Sequence, residues 1–301
     1  MIDLRIIIQF SFLYVVGKVI GFFCSCKVRT LSTDKRSYWL IDMLAPFVRG
    51  VISLRYRVRV RGIDAVKNRD DARPIIFLPN HPAMIDPLLV CAMLSYFKPR
   101  PLADESQINK PIVSWFAGLL NTVPIPDLRS AGRGARKGVL VALKRCVDAL
   151  KGGDNLLFYP AGGVTRDGRE HIGTNGGLFR LLEQAPDCRI VLVRTRGFWG
   201  SSFSCVFSEN GKSPDMMKCL MRGALRLVCN LIFFMPRRDI DIYLEEKEGI
   251  TPLSGDSLAL NRCLEEWYEK EPETGYFVPY YFWQGSKPVN LRNLREKDDN
   301  L

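Results

Sequence analysis

Positions 6–26 are nearly all apolar, interrupted by Gln9 and Lys18, and Arg5, Lys27 and Arg29 flank them. That length just reaches the ~20 residues a bilayer-spanning helix needs. The segment ends in Phe22-Phe23-Cys24-Ser25-Cys26-Lys27, which lacks the small-residue pattern of a signal-peptide cleavage site. Lys18 suits a helix lying in the interface as well as the end of a spanning one, because its long stem lets the charge reach water. The cations crowding both ends argue against a buried core helix. A second apolar stretch, residues 37–54, predicts a helix kinked at Pro46. Gly17 and Gly21, four apart, would let the two helices pack closely. Residues 1–53 are therefore expected to form a membrane-associated helix pair.

From residue 54 the pattern changes period. Leu54-Arg55-Tyr56-Arg57-Val58-Arg59-Val60-Arg61 alternates up to Gly62, which predicts an edge-like strand with one basic face. Residues 74–78 form an uninterrupted apolar strand, and Asp86 then suits the N-cap of a helix whose first turn holds Pro87. A helix over 135–151, a strand over 155–159, a helix over 176–184 and a strand over 189–195 follow, with a strand over 240–244 and a last helix over 257–270. Alternation of this kind predicts an α/β domain, an open and mostly parallel sheet flanked by helices, across residues 54–289. Residues 290–301 read as a polar tail.

Composition narrows the partners. The chain of 301 residues is 47% hydrophobic, enough for a substantial core, yet carries 43 Lys and Arg against 32 Asp and Glu, a net charge of +11. Nucleic acid and an anionic membrane surface both attract such an excess. The basic residues are scattered and no helix-turn-helix, zinc-finger or aromatic RNA-binding signature occurs, so the membrane is the expected partner and nucleic acid is not. Nine dispersed cysteines, with no C-x-x-C pair and no H-E-x-x-H, predict reduced thiols and no metal site, placing the chain at the cytoplasmic face of a membrane.

Only two histidines exist, His81 and His171. His81 lies in Pro79-Asn80-His81-Pro82-Ala83-Met84-Ile85-Asp86, directly after the buried strand, where open α/β sheets gather their active sites. A spacing of five cannot stack His81 and Asp86 on one helical face. A tight loop can instead bring the carboxylate against one ring nitrogen and leave the other to take a proton, the logic of general-base catalysis. Spacing alone leaves a structural reading open, since capping a helix is a sufficient task for Asp86. His171 has no carboxylate nearby except Glu170 and reads as a loop residue. Gly255-Asp256-Ser257-Leu258 spells a lipolytic hydrolase signature, but no histidine follows His171; Asp256 and Ser257 read as the cap of the last helix, with Leu260, Cys263, Leu264 and Trp267 as its apolar face. The aromatic segment 276–283 suits either a membrane interface or the domain's own surface, and the latter is preferred.

The spacing Asn80-His81-x-x-x-x-Asp86 resembles the signature of the glycerolipid acyltransferases, the family that includes 1-acylglycerol-3-phosphate acyltransferases. Other blocks follow that family's order over residues 57–270. Val58-Arg59-Val60-Arg61-Gly62 resembles its strand ending in glycine, Leu102-Ala103 through Val123-Pro124-Ile125 its acceptor block, Tyr159-Pro160-Ala161-Gly162 its Phe-Pro-Glu-Gly block, and Ile190-Val191-Leu192-Val193 its last core strand. Two departures stand out. Ala161 replaces the family's Glu, with Gly163-Val164 where Thr-Arg is common, and Pro126-Asp127 replaces an Asp-Arg pair.

The resemblance implies an acyltransferase that moves a fatty acyl chain from acyl-CoA or acyl carrier protein, as co-substrate and without a bound cofactor, to the hydroxyl of a lysophospholipid. His81 would be the base and Asp86 its partner. Asn80, Tyr159, Pro160, Ala161 and Gly162 would line the substrate site. Arg129, Arg133 and Arg136, in a Gly-rich stretch opening a helix, have the chemistry to grip a phosphate, and Arg166 is a weaker candidate. Ala161 puts the acceptor in question and keeps two other readings alive, a membrane lipid-binding protein with impaired catalysis and an acyl thioesterase.

Overall fold

The computed structural model describes residues 38–108, 111–126, 134–185, 187–207, 213–248, 256–273, 275–285 and 287–291. The apolar stretch 6–26 and the polar tail beyond 291 lie outside them. So do Arg129 and Arg133.

Seven strands form one sheet in the order β1-β7-β6-β2-β5-β3-β4. They are β1 (Tyr56–Arg61), β2 (Ile75–Pro79), β3 (Arg100–Asp104), β4 (Val123–Ile125), β5 (Leu156–Leu157), β6 (Arg189–Arg196) and β7 (Arg238–Glu246). All neighbours run parallel except β6 and β7, which are antiparallel. The central strand β2 is buried at every position, which is why its sequence runs apolar without alternation. Strand β1 at the edge buries Tyr56 and half-buries Val58 and Val60. Its basic face does not stand alone, because the parallel partner β7 sets acids beside it. Arg57 and Arg59 reach Asp239 at 3.3 and 2.8 Å, and Arg61 reaches Asp241 at 3.4 Å. Gly62, with φ +81°, must be glycine, since a Cβ there would strike the backbone oxygen of Leu244.

The two faces of the sheet carry separate cores. On one lie helix α1 (Tyr38–Ser53), the short α2 (Ile63–Lys67) and α3 (Asp86–Met93), and later α8 (Met216–Cys229), around Phe77, Leu157, Val191 and Ile242. On the other lie α6 (Gly134–Lys151), α7 (Gly177–Gln184) and α9 (Ser257–Glu269), around Ile76, Leu156, Phe158 and Leu192. Between β3 and β4 stand α4 (Glu105–Ile108) and α5 (Pro111–Leu119), the latter packing Trp115 and Leu119 on Ile41 of α1. A two-stranded ribbon, β8 (Tyr276–Phe277) and β9 (Val289–Asn290), closes the described chain.

Helix α1 continues through Pro46 and is fastened to the domain. Arg49 donates to Ala92 O at 2.8 Å and to Ser95 Oγ at 2.5 Å, and Ile52 joins the core. No helix among the described residues is long and apolar enough to cross a membrane. The last helix buries Asn261, Leu264, Trp267 and Tyr268, while Cys263 is exposed, so Asn261 takes the inward place expected of Cys263. Its cap is Asp256, which accepts the Leu258 amide at 2.8 Å, so Asp256 serves the helix terminus as read from the sequence.

Candidate active site

Strand β2 is followed by β3, which lies beyond β5, whereas β5 is followed by β6 on the other side of β2. The chain therefore departs in opposite directions around β2, and the crevice at its carboxyl end is where such sheets bind ligands. His81 sits two residues past the end of β2. Asn80 locks the exit: its side chain donates to Thr195 O at 3.0 Å and accepts from Thr195 N and Oγ1 at 2.7 and 3.0 Å. The Asn80 amide is thus engaged with β6, and its role in the site is to fix the strand end from which His81 springs.

His81 Nδ1 lies 3.0 Å from Asp86 Oδ2. Asp86 is not the helix N-cap, a place taken by Ile85; it occupies the first helical position, and its carboxylate turns inward. Its side chain is 0% exposed. Tyr159, just past β5, donates to Asp86 Oδ1 at 3.0 Å, and the Ala83 amide points at Oδ2 at 3.5 Å. Both oxygens are therefore occupied by donors. An ionised carboxylate can only accept, so Nδ1 carries the imidazole proton and Nε2 is the basic nitrogen. The Tyr159 ring leans on the imidazole with centroids 4.4 Å apart, and 14% of the His81 side chain reaches solvent.

Burial alone would lower the His81 pKa, but the Asp86 carboxylate, aided by Glu170, outweighs it and the net direction is upward. Burial drives the Tyr159 phenol well above its ordinary value, so it remains a donor.

Glu170 is a participant that the sequence reading passed over. It is buried, its Oε2 accepts the His81 backbone amide at 2.9 Å, and Oε1 has no partner among the described residues. Thr165 N donates to His81 O at 2.9 Å, so the 159–170 loop holds the histidine backbone from both sides. The signal lay in alternation: Arg169 and His171 are exposed while Glu170 and Ile172 are buried, which puts Glu170 on the side of an apolar residue. His171 is a loop residue whose Nε2 meets Asp167 Oδ2 at 2.8 Å, away from His81's partners.

Burial pushes Glu170 from its ordinary 4.5 up to about 7. Between those values the unfolded chain releases the proton and the folded one keeps it. Stability therefore falls as pH rises through the window, by ~3 kcal/mol once both states are ionised. The variant Glu170→Gln cannot titrate. Its melting temperature relative to the parent should climb between pH 4.5 and 8, and a difference that stays constant with pH would show that Glu170 does not ionise in this range.

The remaining predicted residues surround this core unevenly. Pro160 O accepts from Asn175 Nδ2 at 2.7 Å, and the Gly162 amide closes a turn on Tyr159 O at 3.0 Å, so that amide is already spent. Gly162 has φ +69°, which suits glycine. Ala161 is half-buried against the core, and Arg166 is exposed. Arg136 belongs to the first turn of α6. That helix presses close to the end of β4, for a Cβ on Gly138 would meet Pro126 Cγ at 2.5 Å. Strand β4 thus ends at the same edge of the sheet as β2, because β2, β5, β3 and β4 are parallel. Among the described residues no group of three or more His, Cys, Asp or Glu is placed to hold a metal. An open groove lined by Gly62, Asn68, Arg69 and Glu246 lies at the opposite end of the sheet.

A buried His–Asp pair at the switch point of a mostly parallel α/β sheet has the geometry to take a proton from a nucleophile. Comparison with known proteins narrows the chemistry. Residues 57–195 match the acyltransferase family. A chloroplastic 1-acyl-sn-glycerol-3-phosphate acyltransferase of Arabidopsis thaliana is 26% identical over 115 residues, 38% of this chain and 29% of that protein. A chloroplastic 1-acyl-sn-glycerol-3-phosphate acyltransferase of Brassica napus is 24% identical over 115 residues, 38% of this chain and 30% of that protein. The aligned region thus spans less than a third of either relative. The 1-acyl-sn-glycerophosphate acyltransferase PlsC of Thermotoga maritima has a similar fold, with a TM-score of 0.53 and 17% identity over 90% of this chain and 95% of that one.

Proposed function

We propose that the protein transfers a fatty acyl chain from acyl-CoA or acyl carrier protein to the free hydroxyl of a lysophospholipid, with 1-acylglycerol-3-phosphate as the first acceptor to test. The observation that carries this reading is the His81–Asp86–Tyr159 chain at the carboxyl end of β2. Nε2 of His81 removes the acceptor's hydroxyl proton as its oxygen attacks the thioester carbonyl. The new C–O bond forms and the C–S bond breaks. The departing thiolate takes the proton back from the imidazolium, which Asp86 has meanwhile stabilised. Glu170 positions His81 through its backbone. The step needs no resident cofactor, and the reaction belongs at the cytoplasmic face of an anionic membrane, which residues 1–53 would hold.

The headgroup phosphate is assigned to Arg129, Arg133 and Arg136, which follow in sequence a strand, β4, that ends at the same edge of the sheet as β2. Ala161 supplies no carboxylate where the resembling family has one, so the acceptor's headgroup is the open variable.

Thiol release from acyl-CoA, followed with and without a panel of lysolipids, separates the readings. Release that depends on a lysolipid is the expected result. Release without an acceptor would mean a thioesterase, and none with any acceptor would leave a lipid-binding protein.

A further inference from the structure

Helix α8 wears its polarity the wrong way for a surface helix. It buries Cys219 against the core, yet its opposite, outward stripe is Met221, Leu225 and Val228, spaced four and three apart and all exposed. Lys218 and Arg222 flank the stripe and are exposed as well. From residue 216 to residue 238 the chain contains five basic residues and not one acid.

The apolar surface continues past the helix. Leu231 and Ile232 adopt φ of 48° and 67°, a conformation that branched and bulky side chains avoid. The turn they make buries Ile232 and presents Leu231, Phe233 and Phe234 to solvent, Phe233 at 61% exposure. Buried Asn230 ties this turn to a distant segment: its Nδ2 donates to Tyr280 O at 2.8 Å, and its Oδ1 accepts the Phe282 amide at 2.9 Å. Phe282 consequently sits 6.0 Å from Phe234, centroid to centroid, and Trp283 beside it is 60% exposed. Buried Arg55, two residues after α1, braces these segments from beneath by donating to Pro236 O, and to Pro279 O and Val278 O at 3.0 Å each. The aromatic segment is therefore divided: Val278 is buried in the domain while Phe282 and Trp283 face outward.

We infer that the outer stripe of α8, the 230–235 turn and the Phe282–Trp283 tip form one lipid-docking surface that seats in the interface of an anionic bilayer. The occupant follows from the chemistry: aliphatic and aromatic side chains fringed by Lys218, Arg222 and Arg237, with no acid in that stretch, match acyl chains beneath phosphate headgroups. The placement agrees, because α8 covers the same face of the sheet as α1, whose Trp39, Met43 and Phe47 are likewise exposed. Two helices on one face thus turn apolar sides away from the core. The surface stands independently of the catalytic reading, which would survive its failure.

Residues 6–26 could bind vesicles by themselves, so the test must report on the segment rather than on the whole chain. Amide hydrogen exchange of the full chain is measured alone, at several protein concentrations, and with vesicles of neutral or mixed neutral and anionic phospholipid. Protection of residues 225–235 and 281–285 that appears with anionic vesicles is the expected result. Replacing Phe233, Phe234 and Trp283 together by Ser should abolish that protection and weaken vesicle partition ~10-fold or more, since each large side chain withdrawn from water contributes on that order. Lys218→Gln with Arg222→Gln should reduce the preference for anionic vesicles ~10-fold. Three outcomes overturn the inference. Protection present without lipid at every concentration would mean that part of the chain itself covers the surface, and protection that grows with protein concentration would mean a second copy. Unchanged exchange on vesicles that bind the chain would mean that the membrane contact lies elsewhere.

Discussion

Replacing His81 by Ala is expected to lower turnover by ~10²–10⁴-fold, the usual range for a general base. The substitution is well suited to the question because the structure holds this residue mainly by its backbone. Glu170 accepts the His81 amide and Thr165 donates to its carbonyl, and an alanine keeps both contacts. A folded protein is therefore expected, with a lowered melting temperature because buried Asp86 loses one donor, so turnover is compared well below that melting temperature. The parent enzyme supplies a second readout. The imidazole must be neutral to act, and its pKa is raised above the ordinary 6.5 by the Asp86 and Glu170 carboxylates working against burial. Activity should accordingly rise with pH through a midpoint above 6.5. Near-normal turnover in His81→Ala, or an acid limb below the ordinary histidine value, would remove His81 from the mechanism.

The parts of this site that lie close in sequence were legible from spacing, whereas Tyr159 entered only through the family resemblance, as a substrate-lining residue rather than as the partner of Asp86. His81 and Asp86 are five apart in one loop, and the apolar strand before them already placed the loop at the end of a central strand. Asp86 was expected at the N-cap, because Asp before Pro favours that position. The helix starts one residue earlier, and that single step rotates the carboxylate from the helix terminus into the core. Tyr159 lies 73 residues from Asp86, and only the pairing of β2 with β5 makes them neighbours. Glu170 was obscured by His171 beside it, although the histidine is the exposed member of that pair. Helix α8 was passed over although its basic residues gather on one side; what the sequence could not show is that only part of its apolar side is buried. The basic face of β1 was legible, but its neutralisation by Asp239 and Asp241 depends on β7, 180 residues away.

The second large effect expected is at Asp86. With both carboxylate oxygens accepting, from His81 Nδ1 and from the Tyr159 hydroxyl, Asp86 fixes the tautomer that leaves Nε2 basic. In Asp86→Asn the amide can offer an N–H to Nδ1, which favours the opposite tautomer and blocks proton uptake at Nε2. A loss in kcat approaching the ~10⁴-fold known for such an exchange in hydrolase triads is expected, with little change in the Michaelis constant for the donor. Stability should suffer far less, since the substitution removes a buried charge and keeps the shape. Tyr159→Phe takes away only one of the three donors and should cost ~10-fold, the order of a single hydrogen bond to a charged group. The decisive measurement is the combination. If Asp86 acts through the histidine, His81→Ala with Asp86→Asn will be no slower than His81→Ala alone, because a residue that orients a missing ring has nothing left to orient. Losses that multiply would mean that Asp86 acts on the substrate or the fold by a route of its own, and the dyad would have to be abandoned.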